Sequence, residues 1–203
     1  MASIPRVPSQ STIRRIEWLQ AFTIIWMSIE AALSLVAAWM ARSPALVAFG
    51  GDSAIELFSA SVVLWRFRVH AGERAEKLAA RAGGSLLLAL ALYVAVASGI
   101  TLLGLSEAKP SRLGIVVLVA AALVMPQLAK EKRRLAAVTG SATLRADAAE
   151  SALCGLLSLI ALAGLVVTAT LHVTWADPVA ALSLLPFIVR EGWTAMRESD
   201  QSM

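Results

Sequence analysis

The sequence predicts an all-α integral membrane protein with six transmembrane helices, both termini in the cytoplasm and no soluble domain. Composition is the first reason: 58% of the 203 residues are hydrophobic and only 16% are charged. This content is far more apolar than that of an ordinary soluble domain. The second reason is length, because a hydrocarbon core about 30 Å thick needs about 20 helical residues, and several uninterrupted apolar segments meet that requirement.

Six apolar segments have this length or approach it. Ser43 followed by Pro44 predicts an N-cap and first helical residue for the second segment, and Asp177 followed by Pro178 predicts the same for the sixth. Pro126 is expected to kink the last turn of the short fourth segment. The fifth segment is long and is expected to project from the membrane. The predicted spans are residues 18–40, 45–67, 83–105, 113–129, 142–171 and 177–196.

The basic residues predict the orientation of these spans. Except for Arg42, Lys109 and Arg112, every Lys and Arg lies on one side of the predicted spans, which by the positive-inside rule is the cytoplasmic side. The asymmetry also supports an even number of spans. We therefore divide the chain into a flexible cytoplasmic N-terminus (1–16), a six-helix domain (17–197) and a cytoplasmic tail (198–203), and expect a multi-pass protein of a bacterial inner membrane.

Composition and motifs also exclude some classes of function. The isoelectric point near 9.8 does not predict a nucleic-acid partner, because the basic residues form no stripe with interleaved aromatic residues. Neither a Ser/His/Asp arrangement nor a phosphate-binding loop is evident, so the protein is not expected to be an enzyme or to use an organic cofactor. With Cys154 as the sole cysteine, an intramolecular disulfide is excluded.

Two carboxylates inside the second apolar segment are the first candidate site. Asp52 and Glu56 are four positions apart, which places them on one face of a helix. A charged side chain at mid-bilayer costs about 2.5–3.5 kcal/mol on insertion scales, so such residues usually face a cavity or a partner. Neighbouring carboxylates repel each other unless a proton or a cation lies between them. The pair predicts a cation site, and the alternative is a protonated pair that bonds to another helix.

The fifth segment contains a second candidate pair, Glu150 and Cys154, with the same spacing. Added to Asp52 and Glu56, this pair would supply the four ligands of a tetrahedral metal site. Cys154 could equally be a small buried packing residue. Asp147, one turn before Glu150, is a possible accessory ligand, with a helix-terminal or ion-pair role as its alternative. Its pairing with Ser151 is an alternative register of lower rank.

Glu30 is a further acidic residue within an apolar run, in "WMSIEAALSLVAAW". Three roles are open for it: it could complete the metal site as an accessory ligand, line the ion pathway, or bond to a neighbouring helix.

Together these segments resemble the transmembrane domain of the cation diffusion facilitator family. The motifs are "SPALVAFGGDSAIELFSA" in the second segment, "LRADAAESALC" in the fifth and "WADPVAAL" at the start of the sixth. The resemblance implies a mid-membrane site for zinc or a related divalent ion, exchanged for protons by a homodimer. By position it assigns the ligands to Asp52, Glu56, Glu150 and Cys154.

Two departures from the family pattern matter. Glu150 and Cys154 stand where the family usually has histidine and aspartate, and the sequence matches only the family's transmembrane domain, similar to the small branch related to the zinc-binding transmembrane 163 proteins. A mixed carboxylate and thiolate site is compatible with Zn²⁺ and Cd²⁺ and does not exclude Fe²⁺, Co²⁺ or Mn²⁺. The sequence predicts a divalent transition-metal transporter that exports Zn²⁺ by alternating access. The alternative is a membrane metal-binding or regulatory protein that moves no ions.

Overall fold

In a computed structural model, residues 10–69, 73–139 and 142–201 are described, and their regular elements are six α-helices. Residues 1–9, which make up most of the predicted flexible N-terminus, and residues 202–203 of the predicted tail lie outside the described residues. The helices are α1 (Gln10–Ala41), α2 (Pro44–Val69), α3 (Glu73–Leu102), α4 (Arg112–Thr139), α5 (Ala142–Leu171) and α6 (Ala176–Gln201).

The helices contain five of the six predicted segments, and most extend beyond them; the third segment was predicted to reach residue 105, but α3 ends at Leu102. The bounds of α5 coincide with those predicted. In contrast, α1 begins at Gln10, so residues 10–16 are helical and do not belong to a flexible N-terminus. Likewise α6 continues to Gln201 and includes most of the predicted tail. Apolar length predicts where a helix crosses the lipid, but polar helical turns can continue past it.

The predicted end of the fourth segment is wrong. The helix does not stop near residue 129, since α4 continues to Thr139 with Pro126 in its interior. Gly155 of α5 explains how the proline is accommodated: a Cβ atom on Gly155 would lie 3.2 Å from both Cγ and Cδ of Pro126. The pyrrolidine ring therefore packs closely against a residue without a side chain. As a consequence, Lys132 lies on a helix and not in a cytoplasmic loop.

Among the described residues, five helices contain segments that are long and apolar enough to cross a membrane; these segments are Gln10–Ala41, Arg81–Leu102, Arg112–Thr139, Asp147–Leu171 and Ala176–Arg197. On α1, the exposed Trp18 (79%) and Trp39 (88%) are separated by about 32 Å of helix, which is close to the hydrocarbon thickness and fits two interfacial aromatic anchors. The sixth span and the orientation stay predictions.

Close helix contacts place α2 in the interior of the bundle, where it packs against α1, α3, α5 and α6. Gly50 is required at its contact with α1, because a Cβ atom there would lie 2.8 Å from the Cβ atom of Ser34. A second close approach joins α3 to α6, where a Cβ atom on Gly84 would lie 2.7 Å from the backbone oxygen of Gly192. These contacts hold the acidic face of α2 among the other helices.

Ser43 is confirmed as the N-cap of α2, since its Oγ accepts a hydrogen bond from the backbone N–H of Leu46 at 3.1 Å. The corresponding prediction for Asp177 is wrong. Asp177 lies within the first turn of α6, and its carboxylate accepts hydrogen bonds from Ser43 Oγ at 2.5 Å and from the N–H of Ala45 at 3.3 Å. Asp177 therefore stabilises the start of α2, because the contact between the two helices brings the N-cap hydroxyl and the N–H of Ala45 to its carboxylate.

Candidate metal centre

Glu30 is the centre of a buried polar cluster that joins three helices. Its side chain is 2% exposed. Oε2 accepts a hydrogen bond from Trp26 Nε1 at 2.7 Å, one turn earlier on α1. Oε1 accepts from Ser53 Oγ of α2 at 3.0 Å and from Cys154 Sγ of α5 at 3.5 Å. We call Trp26, Glu30, Ser53 and Cys154 the Glu30 cluster. Of the three roles open for Glu30, bonding to a neighbouring helix is observed, and its partners lie beside the predicted ligands.

Asp52 and Glu56 face the interior from α2, as their spacing predicts. Asp52 is 5% exposed. Oε2 of Glu56 is buried and has no hydrogen-bond partner among the described residues. The carboxyl groups interact electrostatically with each other and with the thiol of Cys154. Buried polar atoms in proteins are nearly always hydrogen-bonded, so an unpartnered carboxylate oxygen requires an explanation; an oxygen reserved for a cation is one.

The two predicted ligands of α5 have different environments. Cys154 is 1% exposed and lies in the core against Glu30 and Ser53, at 4.0 Å from Ser53 Oγ. Glu150 is exposed, although its charge acts on Asp52 and on Glu56. Four residues rotate an α-helix by about 40° more than one turn, so the buried Cys154 and the exposed Glu150 can both be near α2.

Within the described ranges, no three His, Cys, Asp or Glu side chains are arranged closely enough to hold a metal ion. Among the predicted ligands and accessory ligands, the observed hydrogen bond joins Cys154 to Glu30. The assignment of Asp52, Glu56, Glu150 and Cys154 as ligands stays a prediction.

Asp147 forms an ion pair, which was one of its two predicted roles. Its Oδ1 accepts a hydrogen bond from Nζ of Lys132 at 2.6 Å, and its Oδ2 accepts one from Nε2 of Gln20 at 2.6 Å. Nζ of Lys132 also donates to Oγ of Ser151 at 2.8 Å. Asp147 and Ser151, one turn apart on α5, thus hold the same ammonium group.

Two charged residues of this region were missed by the sequence reasoning. Glu191 on α6 is half-buried, and its charge acts on Asp52 and Glu150. Glu191, like Glu30, is an acidic residue inside a predicted segment, but Arg190 directly before it weakened the signal. Lys132 was counted among the loop charges because the fourth helix was expected to end before it.

Comparison with known proteins identifies the family of this domain. The model of the cation efflux transmembrane domain matches residues 21–203. The chain belongs to the cation efflux family. This result confirms the resemblance seen in the second, fifth and sixth segments, and it places the Glu30 cluster and the α2 carboxylates inside the transmembrane domain of a family of metal-ion transporters.

A relative within the cation efflux family is the manganese efflux system protein MneS of Bacillus subtilis (strain 168), which is 23% identical over 185 residues. The aligned region covers 86% of this chain and 63% of MneS, so the chain spans less than two thirds of the length of that relative. Together with five helices that can cross a membrane, the match to a bacterial efflux protein supports a multi-pass protein of a bacterial membrane.

Proposed function

We propose that the chain exports a divalent transition-metal ion from the cytoplasm, with Asp52, Glu56, Glu150 and Cys154 as ligands. The observation that most supports this function is the buried Oε2 of Glu56, which lacks a hydrogen-bond partner in a domain of the cation efflux family. Carboxylates on α2 and a thiol on α5 act on one another electrostatically. A mobile cation would stabilise their ionised forms together.

Zn²⁺ is the substrate that we propose first, because a thiol among carboxylates suits a borderline-soft ion. Mn²⁺ is the second candidate, favoured by the similarity to MneS, whose name describes manganese efflux. Manganese prefers oxygen ligands, which the carboxylates of α2 and α5 would supply. The choice between Zn²⁺ and Mn²⁺ as the substrate therefore depends on whether Cys154 binds the ion or only donates a hydrogen bond to Glu30.

We further propose that export is coupled to proton import. Metal ligands bind in their deprotonated forms, so binding of a metal releases protons and rebinding of protons favours release of the metal. The chain has no histidine in the predicted ligand set, and the carboxylates and the thiol would carry the protons. Glu30 is suited to share this role, because its carboxylate contacts the thiol directly.

A homodimer is the assembly that we propose. The small residues of the third segment, in "GGSLLLALALYVAVASG", offer a face on which a second copy could pack closely. Gly84 is occupied by the contact with α6, whereas space is open beside Gly83 and Gly99. The exposed Val96 and Ile100 flank Gly99. Cysteine cross-linking at these positions in native membranes tests the proposal, and recovery of monomer alone under transporting conditions would contradict it.

The transport proposal is tested with purified protein in proteoliposomes loaded with a metal-sensitive dye. Zn²⁺ and Mn²⁺ are added separately and in competition, with a pH-sensitive dye in parallel samples. We expect metal uptake that a proton gradient of the opposite direction accelerates. Saturable metal binding with no uptake would instead support the membrane metal-binding or regulatory alternative. Absence of both binding and uptake would refute the proposal.

A further inference from the structure

Lys132 is a buried cation in the membrane domain that the proposed transport mechanism does not use. Its side chain is 0% exposed, although removing an ammonium group from water costs several kcal/mol even after relaxation. A pair of apolar side chains would often stabilise a helix contact as well as a buried ion pair does. The burial of Lys132 is therefore weak evidence for a role in stability alone.

The position of Lys132 connects it with the predicted metal site. Its ammonium is held on α5 by Asp147 at 2.6 Å and Ser151 at 2.8 Å. Along α5, Ser151 lies one turn before Cys154. Glu150, the other predicted ligand of α5, directly precedes Ser151. The ammonium is therefore held at a residue that lies between the two predicted ligands of α5. A positive charge in this position opposes the binding of a second cation by these ligands.

We propose that Lys132 is a resident cation that limits the affinity of the predicted metal site for divalent metal ions, and that Asp147 neutralises it in part. A transporter must release its ion as well as bind it, and a fixed positive charge next to the site weakens binding without removing a ligand. The extent of weakening is set by the ion pair with Asp147. Gln20 orients Asp147 for this pairing by donating to its other oxygen. Lys132 is thus an affinity-determining residue, and Asp147 acts through it and not as a ligand.

The inference rests on the proposed function and is tested by a double-mutant cycle of equilibrium metal binding. Purified Asp147→Asn, Lys132→Gln and the double variant are titrated with Zn²⁺ and with Mn²⁺, and thermal unfolding verifies that each is folded. Asp147→Asn leaves the ammonium uncompensated, so we expect the Kd to rise by about tenfold or more. The double variant keeps side chains that can hydrogen-bond but has neither charge, and we expect its Kd, like that of Lys132→Gln, to lie below that of the wild type.

Lys130→Gln is the matched control, because Lys130 is exposed on the same helix; its Kd should be unchanged. If the double variant binds as weakly as Asp147→Asn, Asp147 is an accessory ligand and the proposal is overturned. Unchanged binding in every variant would also overturn it and leave a structural ion pair. If Asp147→Asn does not fold, a double variant that binds more weakly than the wild type is the contradicting result. A wild type that binds neither ion refutes the proposed function itself.

Discussion

Replacement of Glu30 by glutamine separates the charge of this residue from its packing. The amide has one acceptor where the carboxylate has two, so it cannot accept from both Trp26 and Ser53. The structure offers a solution: the amide oxygen accepts from Trp26, and the amide NH₂ donates to Ser53 Oγ. That hydroxyl also lies 3.1 Å from the carbonyl oxygen of Phe49 and can donate to it. The second amide hydrogen faces Cys154 Sγ, a weak acceptor that lies 3.5 Å from this position, so only the weak thiol donor is left without an acceptor.

We therefore expect Glu30→Gln to lower the free energy of unfolding by less than about 1 kcal/mol, comparable to one ordinary hydrogen bond. Glu30→Ala should cost more, because it leaves the N–H of Trp26 without an acceptor, which costs about 1–3 kcal/mol, and creates a cavity in addition. Thermal unfolding of the purified variants measures both differences.

Transport by Glu30→Gln should nevertheless fall by about a hundredfold. A unit charge about 6 Å from another contributes about 3 kcal/mol at an effective dielectric constant of 20, and about 1.4 kcal/mol corresponds to a factor of ten. Metal uptake into proteoliposomes is the assay. Glu17→Gln, an exposed change on the same helix, is the control and should transport normally. Wild-type uptake by a folded Glu30→Gln protein would refute the reasoning and leave Glu30 with a packing role.

Further predictions concern the ligands and the helix contacts. Asp52→Asn and Glu56→Gln should each abolish metal-dependent uptake, and the double variant should match either single variant, because loss of one ligand already removes most of the affinity; additive partial losses would contradict a shared site. Cys154→Ser should lower the ratio of Cd²⁺ to Mn²⁺ uptake in competition, and an unchanged ratio would remove Cys154 from the ligands. Gly50→Ala should destabilise the protein by about 1–3 kcal/mol through overpacking, because its added Cβ atom would meet Ser34 at 2.8 Å; unchanged thermal unfolding would contradict this.

The local features of this protein could be predicted from its sequence. Apolar length located the segments, the pattern of Ser43 before Pro44 located the start of α2, and a spacing of four placed Asp52 and Glu56 on one interior face. These features depend on residues close to one another in the chain. The prediction for α4 failed because the fit of Pro126 depends on a glycine in another helix.

Long-range pairings could not be predicted in the same way. Cys154 and Glu30, whose contact joins α5 to α1, are 124 positions apart, and periodicity contains no information about which helices become neighbours. For the same reason the predicted N-cap residue Asp177 was assigned to its own helix when it serves α2. Asp147, the partner of Lys132, is only 15 positions away in the sequence. The pair was not predicted because the fourth helix was expected to end before Lys132.

The attachment of α6 at both ends has a mechanical consequence. Its first turn is fastened to α2 through Asp177 and Ser43, and its backbone touches α3 where Gly192 meets Gly84. Trp175 and Trp193, both exposed, lie beside these junctions and about 27 Å apart along the helix. Interfacial tryptophans follow the surfaces of the bilayer, and a mismatch in thickness tilts or displaces the helix that they anchor. A thinner or thicker bilayer would strain α6 first at these two contacts. Through the contact of Asp177 with Ser43, a change in lipid acyl-chain length would then act on α2, the helix that contains Asp52 and Glu56.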